Sequence, residues 1–138
     1  MTWLIWALLS AFFAGLTAIL AKVGVQGVDS NLATAVRTLV ILVFAWSVAF
    51  LSNKQPLTTI RGSTWLFLIL SGLATGLSWL CYFRALQLGE ASRVAPIDKL
   101  SVVVAIVLAV VFLHERLTWH QWLGGSLICT GAVVLAYP

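Results

Sequence analysis

The chain has 138 residues, of which 62% are hydrophobic and 9% charged, with a formal net charge of +4. Soluble domains carry charge on about a quarter of their residues, so this composition excludes a water-soluble domain and makes the chain an integral membrane protein. The positive balance does not point to nucleic acid, because the cations are scattered singly along the chain and form no basic stripe.

Crossing about 30 Å of hydrocarbon takes roughly 20 helical residues, and five apolar runs meet that length: 3–21, 32–51, 64–88, 93–113 and 118–137. They read as helices, since barrel strands would alternate apolar and polar positions and a lipid interior requires a backbone bonded within itself. The expected architecture is an all-α bundle of five transmembrane helices filling a single domain, 1–138.

The first run is expected to be a membrane span rather than a cleavable secretory signal, because "MTWLIWALLS" lacks the basic start that such a signal needs. It places Trp6, Ser10, Phe13 and Thr17 along one face, and Ser10, Ala14 and Ala18 at four-residue spacing. The second run carries Arg37 beside a face of Asn31, Thr34 and Thr38. On the third, Ser71, Thr75, Ser78 and Tyr82 form a comparable stripe, Gly72 and Gly76 stand at GxxxG spacing, and Trp79, Cys81 and Arg84 follow. Gly89 ends this helix, and Ser92 is the expected cap of the fourth, with Pro96 in its first turn.

In the fourth run Asp98 and Lys99 stand side by side, followed by Ser101. Asp98 lies about five residues inside, or ~7.5 Å at 1.5 Å per residue, too deep for a short side chain to reach the headgroups. A charge at the bilayer centre costs about 2.5 to 3.5 kcal/mol on insertion scales, so charges inside spans usually face the bundle interior or water. Adjacent helical residues point about 100° apart, which predicts separate partners for Asp98 and Lys99, with Arg37 and Arg84 the candidates for Asp98. Asp98 is then either a structural counter-charge joining spans two, three and four, or a carboxylate that binds a proton or a substrate.

The fifth run supplies Gly125 and Cys129, then Ser126 and Thr130, in small-xxx-small fashion. Small residues let helices approach closely in lipid, and this face is the expected dimer contact. The four polar stripes are candidates to line one cleft, with Trp6, Trp79 and Tyr82 offering ring faces to a planar solute or a cation. The simpler alternative stands beside this one: membrane-embedded hydroxyls often bond only to their own backbone, and aromatic rings often only pack. Cys81 and Cys129 read as buried thiols. The residues provide no catalytic motif and no metal-ligand spacing, so neither an enzyme nor a cofactor is expected.

Arg61, Lys54, Arg116 and Glu115 fall on the side of the N-terminus. Lys22, Arg37, Arg84, Arg93 and Lys99, with Asp29, Glu90 and Asp98, fall on the other, so each side nets +2. Orientation normally follows an excess of Lys and Arg in cytoplasmic loops, and no clear excess exists. Either the count is too small to decide orientation, or copies insert both ways and pair as an antiparallel homodimer. An odd number of spans suits the second reading, since many transporters are built from two inverted repeats around a midplane site.

The stretch "ASRVAPIDKLSVVVAIVLAVVFLHERLTWHQWLGGSLICTGAVVLAY" resembles the end of an EamA-type repeat of the drug/metabolite transporter superfamily. "AVRTLV" in span two and "YFRALQLGEAS" closing span three extend the likeness along the chain. The five-helix, single-repeat members are the most similar. The resemblance implies a transporter of a small organic solute in a prokaryotic inner membrane, working by proton coupling or exchange as two assembled repeats. Alternatives are a flippase for a lipid-linked sugar and a non-transporting subunit of a larger membrane complex.

Overall fold

The computed structural model describes residues 2–52 and 57–137; Lys54, counted above among the loop charges, lies outside them. Six helices follow one another: α1 (Thr2–Gly24), α2 (Ser30–Ser52), α3 (Gly62–Leu88), α4 (Ala91–Asp98), α5 (Ser101–Leu113) and α6 (Trp119–Ala136), with one 3-10 turn at Leu57–Thr59. No strand occurs among the described residues. Among the described residues, four stretches are long and apolar enough to cross a membrane: Trp3–Gly24, Ser30–Ser52, Gly62–Leu88 and Ala91–Leu113. α6, the helix of the fifth expected span, is not among these four. It has 18 residues, ~27 Å of helix at 1.5 Å per residue, and opens on the polar pair His120 and Gln121.

The fourth span departs from the sequence reading. Its helix starts at Ala91 with Glu90 at the cap, so Ser92 is not the cap and Pro96 is the sixth helical residue rather than part of the first turn. Proline lacks the N–H that would bond four residues back, and its ring crowds that carbonyl. Just beyond it the ladder tightens: the Lys99 N–H bonds to the Pro96 carbonyl, Leu100 to Ile97, and Val102 to Lys99. One expected helix thus becomes α4 and α5, joined at Lys99 and Leu100.

The structure divides into two compact units, Ala21–Gln87 on the one hand and Met1–Leu20 with Leu88–Pro138 on the other. In the first, the core lies where the end of α1, the turn into α2 and the end of α3 meet. Val25 and Leu86 are fully buried there, and Phe83, Ala21, Ser30 and Thr34 are buried beside them. Gly27 takes the left-handed conformation that the turn needs (φ 73°). Asp29 Oδ1 accepts the N–H groups of Asn31 (2.9 Å) and Leu32 (3.0 Å), capping α2. Lys22 Nζ donates to the Leu86 carbonyl (2.6 Å) and Gln87 Nε2 to the Val28 carbonyl (3.0 Å), which ties both ends of this turn to the last turn of α3.

In the second unit α6 packs against α4 and α5. His114 caps the end of α5 at φ 53°, the left-handed conformation usually taken by glycine. The Glu115 N–H bonds back to the Ala109 carbonyl (3.2 Å). Thr118 caps the start of α6, and its N–H donates to Gln121 Oε1 at 2.7 Å, the return half of a capping box. At Gly125 a Cβ would sit 3.4 Å from Ile106 Cδ1, so α6 approaches α5 closely at this position.

Candidate functional site

Two sets of the charged and aromatic residues singled out in the sequence come together, one in each unit. In Ala21–Gln87, α2 brings Arg37 against one face of α3: its guanidinium carbon lies 4.5 Å from the Trp79 ring centroid and 5.3 Å from that of Phe83. Tyr82 is within electrostatic reach of the same group. Trp79, Tyr82 and Phe83 stand at i, i+3 and i+4, so one helix face presents all three. Arg37, Trp79 and Tyr82 were legible in the sequence. Phe83 was not singled out, although its position one turn beyond Trp79 was the signal. Arg84 turns elsewhere, donating through Nη1 to Gln87 Oε1 at 2.5 Å.

In the other unit, Asp98 and Lys99 sit at the break between α4 and α5. The two neighbours do meet: Lys99 Nζ lies 3.4 Å from Asp98 Oδ2. This corrects the expectation of separate partners. Asp98 ends α4 and Lys99 is the first residue past it, where the chain is no longer regular helix, and the long lysine side chain spans the remaining gap. Asp98 is partly shielded, whereas Lys99 and Ser101 are exposed. Trp6 and Ser10 are exposed on α1, Trp6 by 72%.

Five of the hydroxyls bond within their own helices, three from the polar stripes and two from the face expected to join copies. Thr34 donates to the Ser30 carbonyl, Thr38 to Thr34, Thr75 to Ser71, Ser126 to Leu123 and Thr130 to Ser126, all between 2.8 and 2.9 Å. Cys81 is exposed rather than buried and Cys129 is half-buried; both are free thiols. Added Cβ atoms at Gly72 and Gly76 would meet open space, so neither glycine is required by a close approach within its unit. Gly125, Ser126, Cys129 and Thr130 do share a surface: with Val103, Ile106, Val107, Gln121 and Trp122 they line an open groove of about 330 Å³ between α5 and α6.

Long apolar spans hold a charged pair at a helix break and an arginine on an aromatic platform, and the EamA-like transporter family matches residues 1–137. The chain belongs to that family. An uncharacterized transporter from the cobO 3′ region of a Sinorhizobium species is 57% identical to this EamA-like chain over 136 residues, 98% of it and 96% of the relative. A probable 4-amino-4-deoxy-L-arabinose-phosphoundecaprenol flippase subunit, ArnE, of Aeromonas salmonicida is 33% identical over 93 residues, 67% of the chain and 76% of the relative. The uncharacterized protein MJ1333.1 of Methanocaldococcus jannaschii is 27% identical over 141 residues. No solved structure matches significantly. The EamA-like chain is a multi-pass protein of the cell membrane.

Proposed function

We propose that this EamA-like transporter carries a small organic solute by alternating access, as a homodimer of two five-span repeats in antiparallel orientation. In this reading α6 is the fifth span and 1–138 is one repeat. The observation that carries it is the interrupted fourth span. Transporters assembled from inverted repeats place substrate and coupling-ion sites at discontinuous helices, where unwound backbone and helix ends face the ligand, and here the break holds Asp98, Lys99 and Ser101. Asp98 is the coupling carboxylate, and Arg37, Arg84, Trp79, Tyr82, Trp6 and Ser10 belong to the substrate path. The α6 face of Gly125, Ser126, Cys129 and Thr130 is the contact between copies. No catalytic step is part of this reading.

Flux into proteoliposomes containing the purified chain tests the proposal. Proton-driven accumulation of a solute from a metabolite mixture is the expected result, and absence of flux with every solute class would refute it. A second reading is supported by the similarity to a flippase subunit: the substrate is lipid-borne and enters sideways from the bilayer. Translocation of a fluorescent lipid-linked sugar, without uptake of any soluble solute, would decide for the second reading.

A further inference from the structure

The sequence distributes charge unequally between the two units. Ala21–Gln87 holds Lys22, Arg37, Lys54, Arg61 and Arg84 against the single acid Asp29, so the net charge of +4 resides there; in the remainder three cations balance three acids. Asp29 is committed to the N-terminus of α2, where its Oδ1 accepts two backbone N–H groups. No carboxylate of this unit is therefore left to serve Arg37, which lies seven residues into a span, half-buried on Trp79 and Phe83.

A ring face attracts the guanidinium charge but is a poor acceptor for its five fixed N–H donors. The nearest hydroxyls along α2, Thr34 and Thr38, donate into their own helix. Tyr82 acts on the guanidinium electrostatically, but one phenol oxygen cannot fill a fork of five donors, so the rings hold the guanidinium in place while its forked edge still calls for oxygen. That edge matches two oxygens of one phosphate or carboxylate group, a geometry that lysine cannot reproduce.

We propose that Arg37, held on the Trp79 and Phe83 rings, is an oxyanion-binding site, and that the transported molecule carries a phosphate ester or carboxylate that docks on it. The inference deepens the transport reading and rests on it for the ligand's route into the span. The anion comes either on a soluble solute or on a lipid, and the chemistry at the guanidinium is the same.

The experiment measures thermal unfolding of the full chain in a nonionic detergent, titrated with methyl phosphate or with dihexanoyl phosphatidic acid, with sodium chloride at matched ionic strength as the control. A ligand that binds the folded state raises the midpoint with the logarithm of its concentration. The wild type is expected to rise with at least one probe. Arg37→Gln is expected to abolish the response, and Arg37→Lys to weaken binding at least tenfold while keeping the charge. Trp79→Leu, which removes the platform, is expected to weaken it as well. A response to methyl phosphate assigns the anion to a soluble solute, and a response to the phosphatidic acid alone assigns it to a lipid.

No response in the wild type overturns the proposal, and so does an equal response in Arg37→Gln. Should Arg37→Gln fail to fold, the comparison of wild type with Arg37→Lys decides: equal affinities refute a forked contact. Because binding is read without flux, oxyanion binding in a chain that transports nothing sinks the transport reading alone. Transport of an anionic solute unaffected by Arg37→Lys sinks the oxyanion site alone.

Discussion

Gly125 is where the packing of α5 on α6 can be tested by a single carbon. A Cβ there would lie 3.4 Å from Ile106 Cδ1, at the inner edge of ordinary contact. Gly125→Ala therefore fits with at most a small shift of a flexible side-chain end, and it removes the entropic cost of glycine in a helix, about 0.5–1 kcal/mol. The expected net effect is neutral to slightly stabilising. Gly125→Leu adds three further carbons where Ile106 already stands, and overpacking of this kind costs about 1–3 kcal/mol. Ile106→Ala clears that space, so leucine at this position should cost less on the Ile106→Ala background, with a coupling of about 0.5–3 kcal/mol for residues in contact. Unfolding in detergent followed by circular dichroism gives the four stabilities. An equal cost of leucine on both backgrounds would refute the contact. Cross-linking yield in membranes, measured on the same variants, reports whether the copies also meet on this face; a lower yield for Gly125→Leu is expected.

Asp98→Asn should keep its fold, because the partner lost is an exposed lysine and such pairs are worth about 0–1 kcal/mol, while proton-driven accumulation disappears. A stability loss of about 3–5 kcal/mol would instead mean that the carboxylate is the counter-charge of a buried cation. His114→Gly should stabilise the chain by about 1–2 kcal/mol, since a residue with a Cβ is strained in the left-handed conformation; an unchanged midpoint in thermal unfolding would contradict the cap geometry. Reporters fused to each terminus are expected to give signals from both sides of the membrane, and a signal confined to one side for each terminus would remove the antiparallel arrangement.

The helices were legible in the sequence because the bilayer imposes one length and one composition on every span; the ends of α1, α2 and α3 fall within about three residues of the apolar runs. The break in the fourth span was less legible. Its cause, Pro96, was visible, but its effect depends on whether the helix begins before or after Ser92, and Glu90 at the cap moved proline from a harmless position to a disruptive one. The meeting of Asp98 with Lys99 follows from that break and could not be read from regular helix geometry. Arg37, Trp79 and Tyr82 emerged from residue type alone, because charges and rings inside spans are rare. Which arginine faces which ring depends on how α2 and α3 pack, and apolar periodicity is uninformative where both faces of a helix are greasy.

The scarcity of buried side chains, Val25, Phe83 and Leu86 foremost among them, determines how the chain tolerates genetic change. Most of its leucines, valines and phenylalanines face outward, Phe44 by 70% and Phe50 by 78%, and lipid tails are as apolar as they are. Exchanges among aliphatic and aromatic residues at those positions should drift almost freely, constrained only by total hydrophobicity. Selection on shape thereby concentrates on a few sites, the turn around Val25, the ring platform under Arg37 and the α5–α6 contact, while the outward-facing aliphatic and aromatic positions are screened during membrane insertion rather than by folding.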